Sequence, residues 1–318
     1  MYDVSIIIAS YFPIYEKLCS TVKSILNQKN ISFEIIITDD GSQENYFEKI
    51  QHFFLKSGFK NYQLVEHKKN VGTCKNIYDA LIKANGCYVK TISPGDFLYD
   101  EYTLSKWVRF MEVTEAKISF GDIINYHMSE NKKIVLDREK MRPQLIDIYS
   151  KYRHRNVLIS YVLLSDVPVG ACFIVEKNTL IQYLNLIVGR IKYAEDFAFR
   201  LMLLDNIEIH HFDEKVVWYE FGTGISTSNN DKWSNVLREE MHILEDIIVE
   251  RYSGNTGFAG RYSKYLEKKK KNPQYRYFKY IIFPKAIYYR FKMRNNIYTS
   301  IQEKKEIIYS IVQNNDNL

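Results

Sequence analysis

Five carboxylates stand at places where a protein can do chemistry. Asp39 and Asp40 close the apolar run FEIIITDDGS (33–42). Asp96 follows the run CYVKTIS (87–93) behind a Pro-Gly turn, in KTISPGD. Glu195 and Asp196 head the segment YAEDFAFRLMLLDN (193–206). A carboxylate can accept hydrogen bonds from a ligand, hold a divalent cation or take a proton from a reacting hydroxyl. The same residues have plainer uses. Asp39 and Asp40 can end a strand and cap the next helix, and Asp96 can cap a helix starting near 100. Glu195 and Asp196 can simply answer a helix dipole.

The elements around these acids narrow the choice. VSIIIAS (4–10), FEIIITDDGS (33–42), YQLVEH (62–67), CYVKTIS (87–93) and KISFGDI (117–123) are short apolar runs that predict buried strands. Helical spacing separates them at 14–27, roughly 43–57, 70–86 and 100–116. Strands alternating with helices of this length imply right-handed βαβ units and a mostly parallel sheet. Such sheets bind ligands beyond the carboxyl ends of their strands. Asp39, Asp40 and Asp96 all fall there, and two acidic strand ends on one sheet edge exceed ordinary capping. The second half is less regular. A hairpin and short helices are expected over 124–165, a loop entering a strand at 167–177, and a helix at 193–206. Two strands follow, IEIHHF and KVVWYEF, then a glycine-containing loop at 222–231 and a helix at 232–251.

Composition removes many classes. A hydrophobic content of 46% supports a substantial core. No GxGxxG follows the first strand, and no GxxxxGK[ST], HExxH, GxSxG or Cys/His cluster occurs, which disfavours dinucleotide, P-loop, zinc-protease and serine-hydrolase chemistry. Cys19, Cys74, Cys87 and Cys172 are scattered and read as buried free thiols in a reducing compartment. The start MYDVSIIIAS lacks the form of a signal peptide, and no run of about 18 apolar residues suggests a membrane span. The net charge of +6 is uneven. Residues 260–294 hold twelve Lys/Arg against Glu267 alone, a local +11 that leaves the remainder near −5. That segment points to an anionic partner.

The ordered set SIIIASY, FEIIITDDGS, NVGTCKN, SPGD and AED closely resembles the family-2 glycosyltransferases over about residues 3–228. The resemblance implies a GT-A fold: an α/β, Rossmann-like, mostly parallel central sheet flanked by helices. It divides the chain into a glycosyltransferase domain over 1–254 and a helical extension over 255–318. Within the domain it implies a nucleotide-binding half at about 1–123 and an acceptor-binding half at about 124–254. It places Ala9, Ser10 and Tyr11 against the nucleotide base, Asp39 as acceptor for a uracil ring N–H, and Asp40, Asn70 and Gly72 in the nucleotide site. Lys75 would meet the diphosphate, at a position where the family more often has Arg. Asp96 matches the last acid of the metal-binding motif, with Ser93 where an earlier acid usually stands, so one protein carboxylate would hold Mn²⁺ or Mg²⁺ with help from the nucleotide phosphates. Asp196 matches the general base of inverting members, with Glu195 beside it. Gly170, Ala171 and Cys172 match a loop that shapes the acceptor pocket. The metal-ligand His of some members has Glu220 and Phe221 in its neighbourhood and is not carried over. The loop 222–228 would act as a lid.

The implied activity is transfer of a sugar from a nucleotide sugar, UDP-linked, to a saccharide acceptor that is lipid-linked or polymeric, in bacterial capsule, O-antigen or exopolysaccharide synthesis. The basic segment interleaves ten aromatics, among them Tyr277, Phe278, Tyr288 and Phe291, and Pro273 and Pro284 break it into short helices. This pattern fits an anionic membrane surface, binding of RNA, or helices packed on the body. The membrane reading puts the protein in the cytoplasm, peripheral on the inner face of the membrane, and nucleic acid is not the expected partner. Rival readings are a nucleotidyl- or phospho-transferase on a similar sheet, and a non-catalytic nucleotide- or sugar-binding membrane adaptor.

Overall fold

The computed structural model describes residues 2–129, 134–136, 142–149, 154–222, 224 and 231–295. Its strands are β1 (Tyr2–Ser10), β2 (Phe33–Asp39), β3 (Tyr62–Glu66), β4 (Gly86–Ile92), β5 (Phe97–Leu98), β6 (Ile118–Met128), β7 (Ile134–Leu136), β8 (Phe173–Glu176) and β9 (Ile209–Glu220). The helices of the body are α1 (Tyr15–Leu26), α2 (Phe47–Ser57), α3 (Thr73–Lys83), α4 (Thr103–Thr114), α5 (His154–Val157), α6 (Lys177–Leu184), α7 (Ala198–Leu204) and α8 (Asp231–Tyr252). α9 (Gly257–Lys271), α10 (Lys279–Ile282) and α11 (Lys285–Asn295) follow.

One sheet runs in the order β3-β2-β1-β4-β8-β6-β9-β5, with β7 paired to β6. The first four strands pair in parallel, as their βαβ connections require. β8 then runs antiparallel between β4 and β6, and β9 returns parallel to β6. Ile6, Ile7 and Ile8 of β1 and Ile35, Ile36 and Ile37 of β2 are fully buried. Strands covered on both faces need apolar side chains at successive positions rather than alternation. Parallel pairing aligns the strand ends, so Ser10 lies opposite Asp39, while Ile8 pairs with Ile92 just before Ser93.

Three details differ from expectation. The two strands expected at 207–212 and 215–221 are one, β9, because a bulge absorbs the polar Asp213 and Glu214: Phe212 pairs with Gly121 and Lys215 with Asp122. The helix expected from 193 starts as a 3₁₀ turn at Glu195–Phe197 and becomes α-helical only at Ala198. Cys87 is exposed, unlike the other three cysteines, because it lies one residue beyond the β4–β8 pairing that begins at Tyr88. The hairpin expected within 124–165 is β6–β7.

The extension is docked on the body. Tyr262, Tyr265, Leu266, Phe283, Ala286 and Tyr289 join the same apolar core as the sheet. Lys269 and Lys270 of α9 reach Glu245 and Asp246 of α8 at 2.5 and 2.7 Å. Pro273 starts a 3₁₀ turn whose Gln274 N–H is accepted by the Asn272 side chain at 3.0 Å.

Candidate active site

Ten of the fourteen candidate residues line one cleft of about 890 Å³ at the carboxyl edge of the sheet: Ala9, Ser10, Tyr11, Asp40, Asn70, Asp96, Gly170, Ala171, Glu195 and Asp196. The cleft is large enough for a nucleotide sugar. Asp39, Gly72, Lys75 and Cys172 do not line it.

Asp39 lies one layer beneath and is fully buried. Its Oδ1 accepts from Ser42 N–H at 2.7 Å, and its Oδ2 from Ser10 Oγ at 3.0 Å and Ser42 Oγ at 2.8 Å. A carboxylate offers about four acceptor positions, so this set leaves room for one more donor. Asp40 ties two elements together. It accepts from the Asn70 side chain at 2.9 Å, Val71 N–H at 2.6 Å and Gly72 N–H at 3.0 Å. Burial raises its pKa, and these backbone donors pull against that rise. Gly72 has φ +90°, and a Cβ there would lie 2.5 Å from the Lys192 carbonyl oxygen. That same carbonyl accepts from Cys74 N–H at 2.9 Å. The Asn-x-Gly loop is therefore clamped between Asp40 and the segment leading into Glu195. Lys75 pairs with Asp79 on the exposed flank of α3.

Asp96 does not cap α4. Asp100 serves that region, accepting from Tyr102 N–H at 2.8 Å and Thr103 Oγ1 at 3.0 Å. The Ser-Pro-Gly-Asp turn is instead gripped from three sides. Thr21 of α1 accepts from Gly95 N–H and donates to the Asp96 carbonyl, at 3.0 and 2.9 Å. Tyr126 of β6 donates to the Gly95 carbonyl. Glu220 N–H of β9 donates to Asp96 Oδ1 at 2.9 Å. Gly95 has φ +104°, and a Cβ would sit 2.4 Å from Glu220 Oε2, so any side chain there would be strained and would displace Glu220. Burial pushes Asp96 up to about 7, against the help of the Glu220 N–H and the Lys90 charge. Ser93 lines the cleft but offers only a hydroxyl. The second carboxylate beside Asp96 is Glu220, which Lys17 neutralises at 2.6 Å.

Among the described residues, one group of three side chains could hold a cation: Asp122, His211 and Asp213 at the β9 bulge, with His211 Nε2 3.0 Å from Asp122 Oδ1. None of the three lines the cleft. At the cleft, Asp96 is the carboxylate that would hold the expected metal, with the remaining ligands left to phosphate and water.

Glu195 and Asp196 are half-buried. Both pKa values are raised, chiefly by burial. The Asp196 charge adds to the rise of Glu195, while Arg200 opposes that of Asp196. Burial thus makes both carboxyls more basic than ordinary ones, which suits a group that must accept a proton. The expected lid over 222–228 lies outside the described residues except for Gly222 and Gly224, and Gly224 lines the cleft.

Four positioning groups were not read from sequence. Lys90 is fully buried beneath the floor and donates to the carbonyls of Thr91 and Ala171 at 2.6 and 2.5 Å, which pins the Gly170–Ala171 loop to β4. Burial lowers it to about 8. A lysine inside an apolar strand was the available signal. Tyr193 and Trp233 meet edge-to-face at 5.0 Å in the cleft wall. Glu240 of α8 is buried and accepts three backbone N–H groups, from Lys192, Tyr193 and Ala194, at 2.8, 2.9 and 2.9 Å. It shares the buried stripe of α8 with Leu244, Ile247 and Ile248, so an acid on an apolar face was its signal. Glu240→Ala leaves three N–H groups unpaired just before Glu195. We expect kcat to fall at least about tenfold and, because the Lys192 carbonyl backs the Asn-x-Gly loop, nucleotide affinity to weaken as well, checked by steady-state kinetics and nucleotide titration.

Comparison with known proteins places these features in context. The family model described as glycosyl transferase family 2 matches residues 5–178. E. coli WfaP, named as a UDP-Glc:α-D-GlcNAc-diphosphoundecaprenol β-1,3-glucosyltransferase, is 26% identical over 254 residues, covering 78% of this chain and 88% of its own. Among solved structures, S. aureus TarS 1–349 in complex with UDP-GlcNAc aligns with a TM-score of 0.51 at 14% identity, over 97% of this chain and 81% of that one. The mannosyltransferase PcManGT of Pyrobaculum calidifontis, in complex with GDP-Man and Mn²⁺, aligns with a TM-score of 0.56 at 12% identity, over 90% and 73%.

Proposed function

Because the chain belongs to glycosyl transferase family 2, with the sheet of a GT-A enzyme, we propose that it is an inverting transferase moving a sugar from a UDP-sugar to a lipid-linked saccharide acceptor. The observation that carries this is the convergence of Asp40, Asp96 and Asp196, from three distant parts of the chain, on one cleft. WfaP supports the acceptor class by its name, and the TarS complex supports a uridine nucleotide. A role in bacterial surface-polysaccharide synthesis follows from that acceptor class.

In this reading Ala9, Ser10 and Tyr11 face the base, and Asp39 supplies its remaining acceptor position to a uracil N–H from below. Asn70 and Asp40 shape the wall beside it. Asp96 would hold a divalent cation, which when bound neutralises charge developing on the departing diphosphate. Gly170 and Ala171 leave room for the acceptor sugar. Asp196 removes the proton from the acceptor hydroxyl as that oxygen bonds to the anomeric carbon. The bond from that carbon to the phosphate oxygen breaks, its electron pair leaves with UDP, and configuration inverts.

The test is incubation with UDP-glucose or UDP-GlcNAc, Mn²⁺ and a diphospholipid-linked N-acetylhexosamine. UDP release should depend on acceptor, and the product should carry the β-anomer from the α-linked donor. A product of retained configuration, or UDP release indifferent to acceptor, contradicts the reading.

A further inference from the structure

We propose that α11 and the turns before it seat the enzyme on an anionic lipid bilayer through a second apolar face that points away from the protein. This names the surface at which the lipid-linked acceptor would be met, and in purpose it rests on that reading.

The geometry is that of a helix with two apolar sides. At about 100° per residue, Ala286, Tyr289 and Met293 form one stripe. Ala286 and Tyr289 are buried, and Met293 packs against the core. Ile287, Tyr288 and Phe291 centre about half a turn away, on the side facing solvent, at 57, 62 and 66% exposure. The body explains the first stripe and leaves the second largely exposed. The preceding turns expose Tyr277, Phe278 and Ile281, the last at 74%. Six of the thirteen large apolar side chains that the described protein exposes thus lie within fifteen residues, a density unusual for a free surface.

The charges indicate the partner. Arg290 and Arg294 lie on one flank of the outward stripe, Lys285 and Lys292 on the other. Lys292 reaches Asp147 of the body at 2.5 Å. Lys285, Arg290 and Arg294 are exposed and meet no acid among the described residues. No Asp or Glu occurs from 268 through 295. An apolar ridge with tyrosine and cationic flanks matches the boundary of an anionic membrane, where rings enter the headgroup level and long basic side chains reach the phosphates. The chain's own residues 296–318 carry three acids and two lysines, too little charge to answer this surface. No helix of the described protein is long and apolar enough to cross a membrane.

Flotation of the full-length protein with phosphatidylglycerol–phosphatidylcholine vesicles, without donor or acceptor, tests the proposal apart from the transfer reaction. Wild type should float with anionic vesicles and not with phosphatidylcholine alone. Lys285→Gln, Arg290→Gln and Arg294→Gln together should weaken partitioning about 100-fold, from about 1 kcal/mol per charge. Ile287→Ser, Tyr288→Ser and Phe291→Ser together should weaken it at least about tenfold. Both variants should keep wild-type thermal stability, since neither touches the inward stripe, and wild-type transfer to a water-soluble short-chain acceptor. The proposal fails if wild type stays at the bottom of the gradient or if the triple serine variant floats like wild type. It fails equally if light scattering shows the face holding two copies together, if RNA competes the vesicles away, or if vesicle binding appears only after removal of 296–318.

Discussion

Asp196→Asn should lower sugar transfer about 10²- to 10⁴-fold while UDP affinity stays within about twofold. The substitution keeps size and removes only the ability to take a proton. It also leaves intact the Glu240 bonds that hold residues 192–194, so loss of activity would not reflect a displaced loop. The pH profile gives a second readout. Burial raises Asp196 above its ordinary carboxylate value. A base must be unprotonated, so kcat/KM should rise with pH through an apparent pKa above that of an ordinary aspartate. A variant Asp196→Asn with wild-type turnover removes Asp196 from the reaction, and one that loses UDP binding in the same proportion shows a structural role instead.

What the sequence disclosed depended on how local its signals are. The βαβ alternation, the DDGS strand end and the Pro-Gly turn each occupy a few consecutive residues, and the parallel register then carries them to one edge without further information. Asp40 shows the limit. Its acidity is visible, but its partners at 70–72 are reached only after β3 is placed. Glu240 accepts bonds from residues 46 to 48 positions earlier, and nothing near it in sequence says so. Lys75 failed to reach the cleft for the opposite reason. A local i, i+4 acid, Asp79, holds it on the helix flank. β9 was split because its polar centre mimics a turn, whereas a neighbouring strand can absorb the extra residues in a bulge. The tail's composition was legible as basic and aromatic, but which rings face the body and which face outward required the helix positions.

Asp96→Asn should separate the catalytic use of that carboxylate from its cost to folding. Loss of the carboxylate proposed to hold the cation should reduce transfer about 10²- to 10³-fold and weaken Mn²⁺ binding to the UDP complex. In protein free of metal and nucleotide, the same change should raise stability, and the sign follows from the pKa. Burial lifts Asp96 from an ordinary 3.8 to about 7 in the folded chain. Between those values the folded state binds the extra proton, so stability falls as pH rises from about 4 to about 7 and the cost is complete above that. Three pKa units set an upper bound of about 4 kcal/mol. Asparagine cannot ionise, and its carbonyl oxygen can still accept from Glu220 N–H. The variant should therefore melt higher than wild type at about pH 8, and the gap should close at about pH 4. Parallel melting curves at both pH values would show that Asp96 is not buried as a charge. Full Mn²⁺-dependent turnover would place the cation elsewhere, with Glu220 the next residue to substitute. If both expectations hold, the turn gripped by Thr21, Tyr126 and Glu220 maintains a buried acid that folding alone disfavours, which is the mark of a residue kept for its chemistry.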